Sequence, residues 1–203
     1  MVRIASEEYS LSIDSIGNKN MHLTNTDINK YNKKYIFPNN SDDESANIWN
    51  LRTYKKYLKK NHVDWNKMWD KIKDIIIKTI ISSQEELVEK LEAANLNDRS
   101  FYNLLGFDIL VKENFEPILL EVNNSPCMNI YNKVDVEIKT NLLVDILNIV
   151  GIYPFTDEMK NYKKNVTNNI EANIIESVNN AFCELYRPRG FFELIFPLKE
   201  NII

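Results

Sequence analysis

The sequence predicts an α+β fold in which a mainly antiparallel sheet is packed with amphipathic helices. Residues 104–111 and 118–122 are two apolar runs of strand length that flank a polar segment, which is the pattern of a β-hairpin. Before and after this hairpin, apolar residues recur at spacings of three and four, which indicates helices with one buried face. With 44% hydrophobic and 11% aromatic residues, the chain has enough apolar material for a real core.

The first third of the chain predicts short elements around a polar loop. A strand is expected at residues 2–5 and a turn at Gly17-Asn18. Residues 31–47 are rich in asparagine and lack hydrophobic periodicity, so we expect a mobile loop there. The helix that follows carries four lysines, Lys55, Lys56, Lys59 and Lys60. Such a run is most often a solvated helix face, and the alternative is a patch for an acidic partner.

The later elements follow from the same periodicity. Residues 65–91 predict an amphipathic helix, and residues 134–150 predict a second one. The apolar face of the second helix consists of Val134, Ile138, Leu142, Ile146 and Val150. A further helical pattern covers residues 156–186, and residues 187–197 predict a turn followed by an edge strand that ends at Pro197.

The hairpin carries the main chemical candidate. If its turn is centred between Asn114 and Phe115, Asp108 lies directly across from Glu121, with Asn123 two positions along and Leu119 on the same face. Like charges directly opposite one another destabilise a sheet, so such a pair points to a cation between them. Oxygen ligands of this kind suit Mg²⁺. The alternative is the solvated outer face of an ordinary hairpin.

Composition excludes several other classes of site and partner. The net charge is −4, so no global basic field attracts nucleic acid. No apolar run is long enough to span a membrane, and the charged start does not resemble a signal peptide. Two cysteines and two histidines exclude a disulfide framework and a histidine-rich zinc site. Four glycines cannot supply a glycine-rich phosphate loop.

The segments GFDILV and PILLEVNNSP closely resemble the C-terminal signature of the tubulin–tyrosine ligase-like family, which has an ATP-grasp fold. VRIAS at 2–6, MHLTNTDINK at 21–30 and IKDIIIKTIIS at 72–82 agree with it in the same order. The resemblance implies that residues 1–155 are the C-terminal lobe of an ATP-grasp catalytic unit, of which more than half precedes this lobe in the family. Residues 156–203 are then a helical extension with a terminal strand.

The resemblance also implies roles for individual residues. It gives Mg²⁺ to Asp108, Glu121 and Asn123, and it makes Arg3 and Glu121 the catalytic residues. Thr24 and Asn25, with Glu121, would contact ATP, although capping or turn formation is their ordinary role. The residues that would face the incoming amino acid are Arg3, Thr26, Asp27, Asn124 and Lys139.

The implied activity is ATP-dependent ligation of glutamate to tubulin through an acyl phosphate, because MHLTN…IKTIIS…EIKTNLL is closer to the polyglutamylating branch. The implied partners are free glutamate and the acidic tails of tubulin, with no nucleic acid and no membrane. The implied location is the cytoplasm and its microtubules, including those of axonemes or basal bodies. Glycine or tyrosine remain alternative substrates. A different alternative is a truncated, non-catalytic tubulin-binding fragment, favoured by Ile48, where glutamate-adding relatives have lysine.

Overall fold

The computed structural model describes residues 1–95, 102–150 and 188–196. The chain divides into two compact units, Met1–Val134 with Leu194–Ile203, and Asp135–Glu193. The α+β expectation is confirmed, because helices occur together with two small antiparallel sheets. The predicted domain division at residue 155 and the predicted helix over 156–186 lie outside the described residues and stay predictions.

The first unit contains short elements at its start and two longer helices before the hairpin. In chain order these are β1 (Val2–Arg3), a 3-10 turn (Ile13–Ser15), α1 (Lys19–His22), α2 (Thr26–Asn29), β2 (Ile48–Trp49), α3 (Leu51–Lys60), α4 (Trp65–Ala93), β3 (Gly106–Val111) and β4 (Pro117–Asn123). β1 pairs with β2, and β3 pairs with β4, both antiparallel. The predicted helix over 65–91 and the predicted hairpin are therefore confirmed.

The hairpin turn differs from the prediction by half a residue. Lys112 and Glu116 pair across a loop centred on Asn114, in which Phe115 adopts a positive φ of 60°. A three-residue loop of this type needs its last residue in the left-handed region, which glycine usually fills. Here a phenylalanine adopts that conformation, and its ring packs against the core of the unit. That packing offsets a backbone cost of roughly 1–2 kcal/mol.

A β-bulge restores the register further along the hairpin. Ile109 pairs with Leu119, whereas Asp108 pairs with Glu121, so Leu120 is the extra residue. The predicted pairing of Asp108 with Glu121 is thus confirmed. The expectation that Leu119 shares a face with Glu121 is wrong, because the extra residue between them interrupts the alternation. Leu119 lies on the face of Ile109, and Glu121 lies on the opposite face with Asp108.

The core of the first unit lies between the two long helices and the inner face of the hairpin. Leu58 of α3 and Met68 and Ile72 of α4 are buried together. The partly buried residues that pack against them are Tyr54, Val63, Trp65, Trp69, Ile76, Ile109, Val111 and Phe115. α4 begins at Trp65 because the Asp64 carboxylate accepts hydrogen bonds from the next backbone N–H groups.

The segment 31–47 is irregular, as predicted, but the expectation of a mobile loop does not fit its contacts. Asn47 Nδ2 donates to the carbonyl oxygens of Ile4 and Ala5, and Asn47 Oδ1 accepts from the backbone of Ile36. Asn50 Nδ2 donates to the carbonyl oxygen of Ser41, within the segment, at 2.8 Å. Asparagine richness therefore serves here to satisfy backbone groups that lack a strand partner.

The described part of the second unit consists of residues 188–193 and of α5 (Lys133–Val150) from Asp135 onward. Asp145 is buried and accepts a hydrogen bond of 2.9 Å from the backbone N–H of Phe191. Gly190 has φ +56°, and an added Cβ would lie only 1.9 Å from the Asp145 carboxylate. The turn predicted here is confirmed. The predicted edge strand is wrong for the described residues 192–196, which form no ladder.

Within the described ranges, no helix is long and apolar enough to cross a membrane.

We expect Leu58→Ala to lower the free energy of unfolding by about 2–5 kcal/mol, because it opens a cavity in this core. The matched control is Leu51→Ala on the same helix, where the leucine is 38% exposed and Leu58 is 0% exposed. That control should cost less than about 1 kcal/mol. Urea denaturation measures both, and equal losses would contradict the placement of the core.

Candidate metal and nucleotide site

The outer face of the hairpin brings together two carboxylates and one carboxamide. Asp108 and Glu121 are directly paired, and both are solvent-exposed. Asn123 pairs with Gly106, and its Nδ2 donates to Glu121 Oε1 at 3.1 Å. Gly106 allows Pro126 to pack closely beside Asn123, since a Cβ at Gly106 would lie 3.0 Å from the Pro126 side chain. The β-bulge thus exposes three oxygen-bearing side chains on one surface.

Arg3 lies within electrostatic range of this group. Partial burial raises the pKa of Asp108, the Arg3 guanidinium opposes that rise, and the charge and hydrogen bond of Glu121 add to it. Burial remains the leading cause although Asp108 is accessible by area, because neighbouring atoms remove part of the hydration of its carboxylate. The pairing of β1 with β2 fixes Arg3 through Ile48, which is 1% exposed. β1, in one small sheet, therefore supplies a cation near the carboxylates of the other sheet, β3–β4.

This donor set fits Mg²⁺. Magnesium prefers hard oxygens, is held by one or two carboxylates in phosphate-transfer sites, and fills its remaining positions with water and substrate phosphate. Asp108 and Glu121 provide the carboxylates, and the mutual repulsion that raises the pKa of Asp108 is what a cation would relieve. The described residues contain no cluster of three or more His, Cys, Asp and Glu suited to a metal, so the carboxamide of Asn123 is the third candidate ligand.

The predicted nucleotide-facing residues form a capped turn. The Asn25 side chain accepts a hydrogen bond of 2.8 Å from the backbone N–H of Asp27, so Asn25 caps α2. Asp27 forms an exposed ion pair of 3.0 Å with Lys30. No hydrogen bond or ion pair among the described residues joins Thr24, Asn25, Thr26 or Asp27 to the Asp108–Glu121 pair. Their roles toward ATP and the amino acid remain predictions.

Sequence reasoning missed the residue that shapes this turn. Asn29 is 0% exposed, and its Nδ2 donates to the carbonyl oxygens of Leu23 at 2.7 Å and Asn25 at 3.0 Å. Its Oδ1 accepts from the hydroxyl of Ser6, which connects the turn to the segment after β1. An asparagine four residues after a capping asparagine was the available signal, because those positions are neighbours on a helix.

The two remaining substrate candidates have different surroundings. Asn124 is exposed, and its Oδ1 accepts a hydrogen bond from Asn103. Lys139 belongs to the second unit, where its ammonium lies 2.9 Å from the Asp135 carboxylate, with side chains only 11% and 3% exposed. Asp135 was not predicted, although its four-residue spacing from Lys139 is the spacing of a helical ion pair.

The tubulin-tyrosine ligase family profile matches residues 1–162 of the 203-residue chain. The chain belongs to the tubulin-tyrosine ligase family. This confirms the resemblance drawn from the hairpin and the three segments before it.

Individual relatives within the family carry glutamate-ligating names. The chain is 40% identical over 153 residues to human tubulin monoglutamylase TTLL4 and 35% identical over 153 residues to the Caenorhabditis elegans tubulin polyglutamylase ttll-4. It is 32% identical over 152 residues to human tubulin polyglutamylase TTLL5. These alignments cover 74%, 75% and 74% of this chain, but only 13%, 25% and 12% of the relatives. The chain therefore spans a quarter or less of each relative's length.

The raised pKa of Asp108 predicts a pH-dependent effect of Asp108→Asn in metal-free protein. A raised folded-state pKa stabilises the fold below the unfolded value and loses that contribution as pH rises through the folded value. Asp108→Asn should therefore raise the midpoint of thermal unfolding at pH 7. The gain should disappear below about pH 4, the ordinary range of an aspartate.

Glu116→Gln is the matched control of opposite sign. A hydrogen bond from Lys71 lowers the pKa of Glu116, so its contribution is present at neutral pH and is lost on acidification. This variant should be less stable than the parent at pH 7 and equal to it at low pH. The same sign for both substitutions would contradict the electrostatic description of the hairpin.

Proposed function

We propose that this chain is the part of an ATP-dependent tubulin glutamate ligase that holds magnesium and the reacting phosphate. The observation that carries the proposal is the direct pairing of Asp108 with Glu121 beside Arg3. A pair of facing carboxylates is unfavourable in a structural hairpin unless cations offset it. It becomes useful where phosphate charge must be bound through a metal. The glutamylase names of the relatives support glutamate as the added residue.

The proposed reaction has two chemical steps. A carboxylate of the tubulin acceptor attacks the γ-phosphorus of ATP, which forms an acyl phosphate and releases ADP. The amino group of free glutamate then attacks the acyl carbon, so that a C–N bond forms, phosphate leaves and the amine loses a proton. Magnesium supplies charge neutralisation for the transferred phosphoryl group.

The residues of this chain bind and orient the groups that react. Asp108, Glu121 and Asn123 would hold the magnesium through oxygen. Arg3 carries a planar guanidinium, which can form two parallel hydrogen bonds to a phosphate or carboxylate. We place Thr24 and Asn25 at the nucleotide, and Thr26, Asp27 and Asn124 at the incoming amino acid. These assignments rest on the resemblance in sequence.

Lys139 is proposed to bind a carboxylate of the incoming glutamate. Its pairing with Asp135 on α5 holds the ammonium in one position at 2.9 Å. A nearly buried ion pair costs desolvation that a solvated surface lysine does not bear. Such a cost is common where a charge must be kept in a fixed place for a substrate, because positioning contributes to the rate.

The larger architecture remains part of the proposal. We place residues 1–155 in an ATP-grasp lobe and residues 156–203 in a helical extension. Because the chain aligns with a quarter or less of the relatives, ATP, glutamate, tubulin and a microtubule location are proposed for the longer protein that contains this lobe.

One observation favours the non-catalytic or glycine- or tyrosine-adding alternatives. Ile48 occupies the place where the resemblance puts a lysine in glutamate-adding enzymes, and it is buried and paired with Arg3. If glutamate-adding enzymes use that lysine as a cation, another residue must supply the cation in this chain. The exposed carboxylate pair still favours the ligase, because a binding fragment has no use for it.

Magnesium should stabilise this protein, because a ligand that binds the folded state alone raises the unfolding midpoint. We expect Mg²⁺ with a non-hydrolysable ATP analogue to raise the thermal midpoint of the parent chain. The metal affinity can be obtained from the dependence of the midpoint on the Mg²⁺ concentration. Glu121→Gln should lower this affinity by more than the roughly 10- to 100-fold typical of a lost outer-shell partner.

Glu193→Gln is the control for that experiment, because it also removes one glutamate charge and lies in the second unit. It should respond to the metal as the parent does. A parent response that persists unchanged in Glu121→Gln would place the metal elsewhere.

Lys139→Ala should raise the apparent KM for glutamate by roughly 10- to 100-fold, the loss expected of a hydrogen bond to a charged group. The KM for ATP should change little. The assay needs a longer protein that includes the complete catalytic unit. Lys78→Ala is the matched control, since Lys78 is also paired with an aspartate four residues away but is 74% exposed. Equal changes for glutamate and ATP would remove Lys139 from the amino-acid site.

A further inference from the structure

A groove runs along α3 and its connection to α4, within the first unit. Leu51, Lys55 and Lys59 line it at four-residue spacing along α3. Val63 and Trp65 line it from the connection and from the start of α4. The groove is open to solvent and has a volume of ≈ 590 Å³. It is therefore large enough for several side chains of an extended peptide.

The groove is positively charged in a chain whose net charge is −4. Four cationic side chains line it, Arg52, Lys55, Lys56 and Lys59, together with one carboxylate, Asp64. That carboxylate is engaged with the backbone at the start of α4. The local field therefore attracts anions although the whole molecule is acidic.

These cations differ in how far other carboxylates already neutralise them. Arg52 lies 2.9 Å from Asp42, and Lys60, just outside the groove, lies 2.7 Å from Glu44. By contrast, Lys55 and Lys59 have no carboxylate partner among the described residues. These two lysines are thus the cations with most to gain from an external anion.

The floor between the lysines is apolar. Leu51 is 38% exposed, and the side chains of Val63 and Trp65 are half-buried. Lys55 Nζ lies 5.5 Å from the centre of the Trp65 ring, so the aliphatic part of the lysine extends this surface. A ligand that carries only negative charge would leave the floor uncovered.

We infer that this groove binds an acidic peptide segment that carries one large apolar side chain. Its carboxylates pair with Lys55 and Lys59, and its apolar side chain covers Leu51, Val63 and Trp65. The inference depends on the proposed function only for the source of the peptide, which would be the acidic tail of the protein substrate. Binding itself needs neither magnesium nor ATP, so it can succeed or fail independently of the ligase site.

Fluorescence anisotropy with the full 203-residue chain tests this directly. The probe is a fluorescein-labelled peptide of glutamates around one phenylalanine, compared with the same peptide in which glycine replaces phenylalanine. The parent should bind the phenylalanine peptide more tightly, and its affinity should fall as salt rises. Equal affinity for the two peptides would overturn the role of the apolar floor.

Two sets of variants distinguish the contribution of the lysine charges from that of the apolar floor. The double substitution Lys55→Gln and Lys59→Gln should weaken binding about three- to tenfold, as expected for two exposed ion pairs. Lys60→Gln, on the same helix but paired with Glu44, should leave affinity within about twofold. Leu51→Ser should lower the affinity for the phenylalanine peptide and leave the affinity for the glycine peptide unchanged. Circular dichroism and thermal unfolding must show that every variant remains folded.

Three results would overturn the inference. One is an unchanged affinity in the Lys55/Lys59 double variant, and another is an equal loss in Lys60→Gln. The third is a tighter complex with heparin than with the phenylalanine peptide, unaffected by Leu51→Ser, which would define a surface for polyanions in general.

Discussion

Two carboxylates that face each other across the hairpin, Asp108 and Glu121, are the constraint around which the candidate site is built. Partial burial raises the pKa of Asp108, and the charge of the facing Glu121 adds to that rise. Packing on the other face holds the pair in place, because Ile109, Val111 and Phe115 are fixed against the core of α3 and α4. The energy of the inner face thus maintains an outer face that is unfavourable without a cation. Such a division between stabilising core and strained site is usual for functional sites.

The hydrophobic periodicity and the pairing of the two carboxylates could be predicted from the sequence. The conformation of the hairpin turn and the β-bulge between them could not. The hairpin, the long helix α4 and the pairing of Asp108 with Glu121 were all correct. The correct pairing came from two errors that cancel, a turn centred half a residue too late and an overlooked bulge at Leu120. A phenylalanine in a left-handed turn position carries no sequence signal, since packing rather than local preference decides it.

The asparagines show a different limit of sequence reasoning. Asn47 binds the backbone of a distant segment, and Asn29 and Asn50 bind backbone carbonyls nearer in sequence, so stretches that read as unstructured are held by side-chain hydrogen bonds. Composition cannot distinguish such contacts from solvation. The same holds for Asp135, which accompanies Lys139 in a nearly buried ion pair. Residues that hold other segments in place were therefore hard to predict, because their partners are set by tertiary structure.

The most direct test of the account is a crystal structure of the chain soaked with Mn²⁺, which accepts the same oxygen ligands as Mg²⁺ and has a clear anomalous signal. We expect one anomalous peak within metal-ligand distance of both Asp108 and Glu121. A peak elsewhere, or no peak with the two carboxylates turned away from each other, would contradict it.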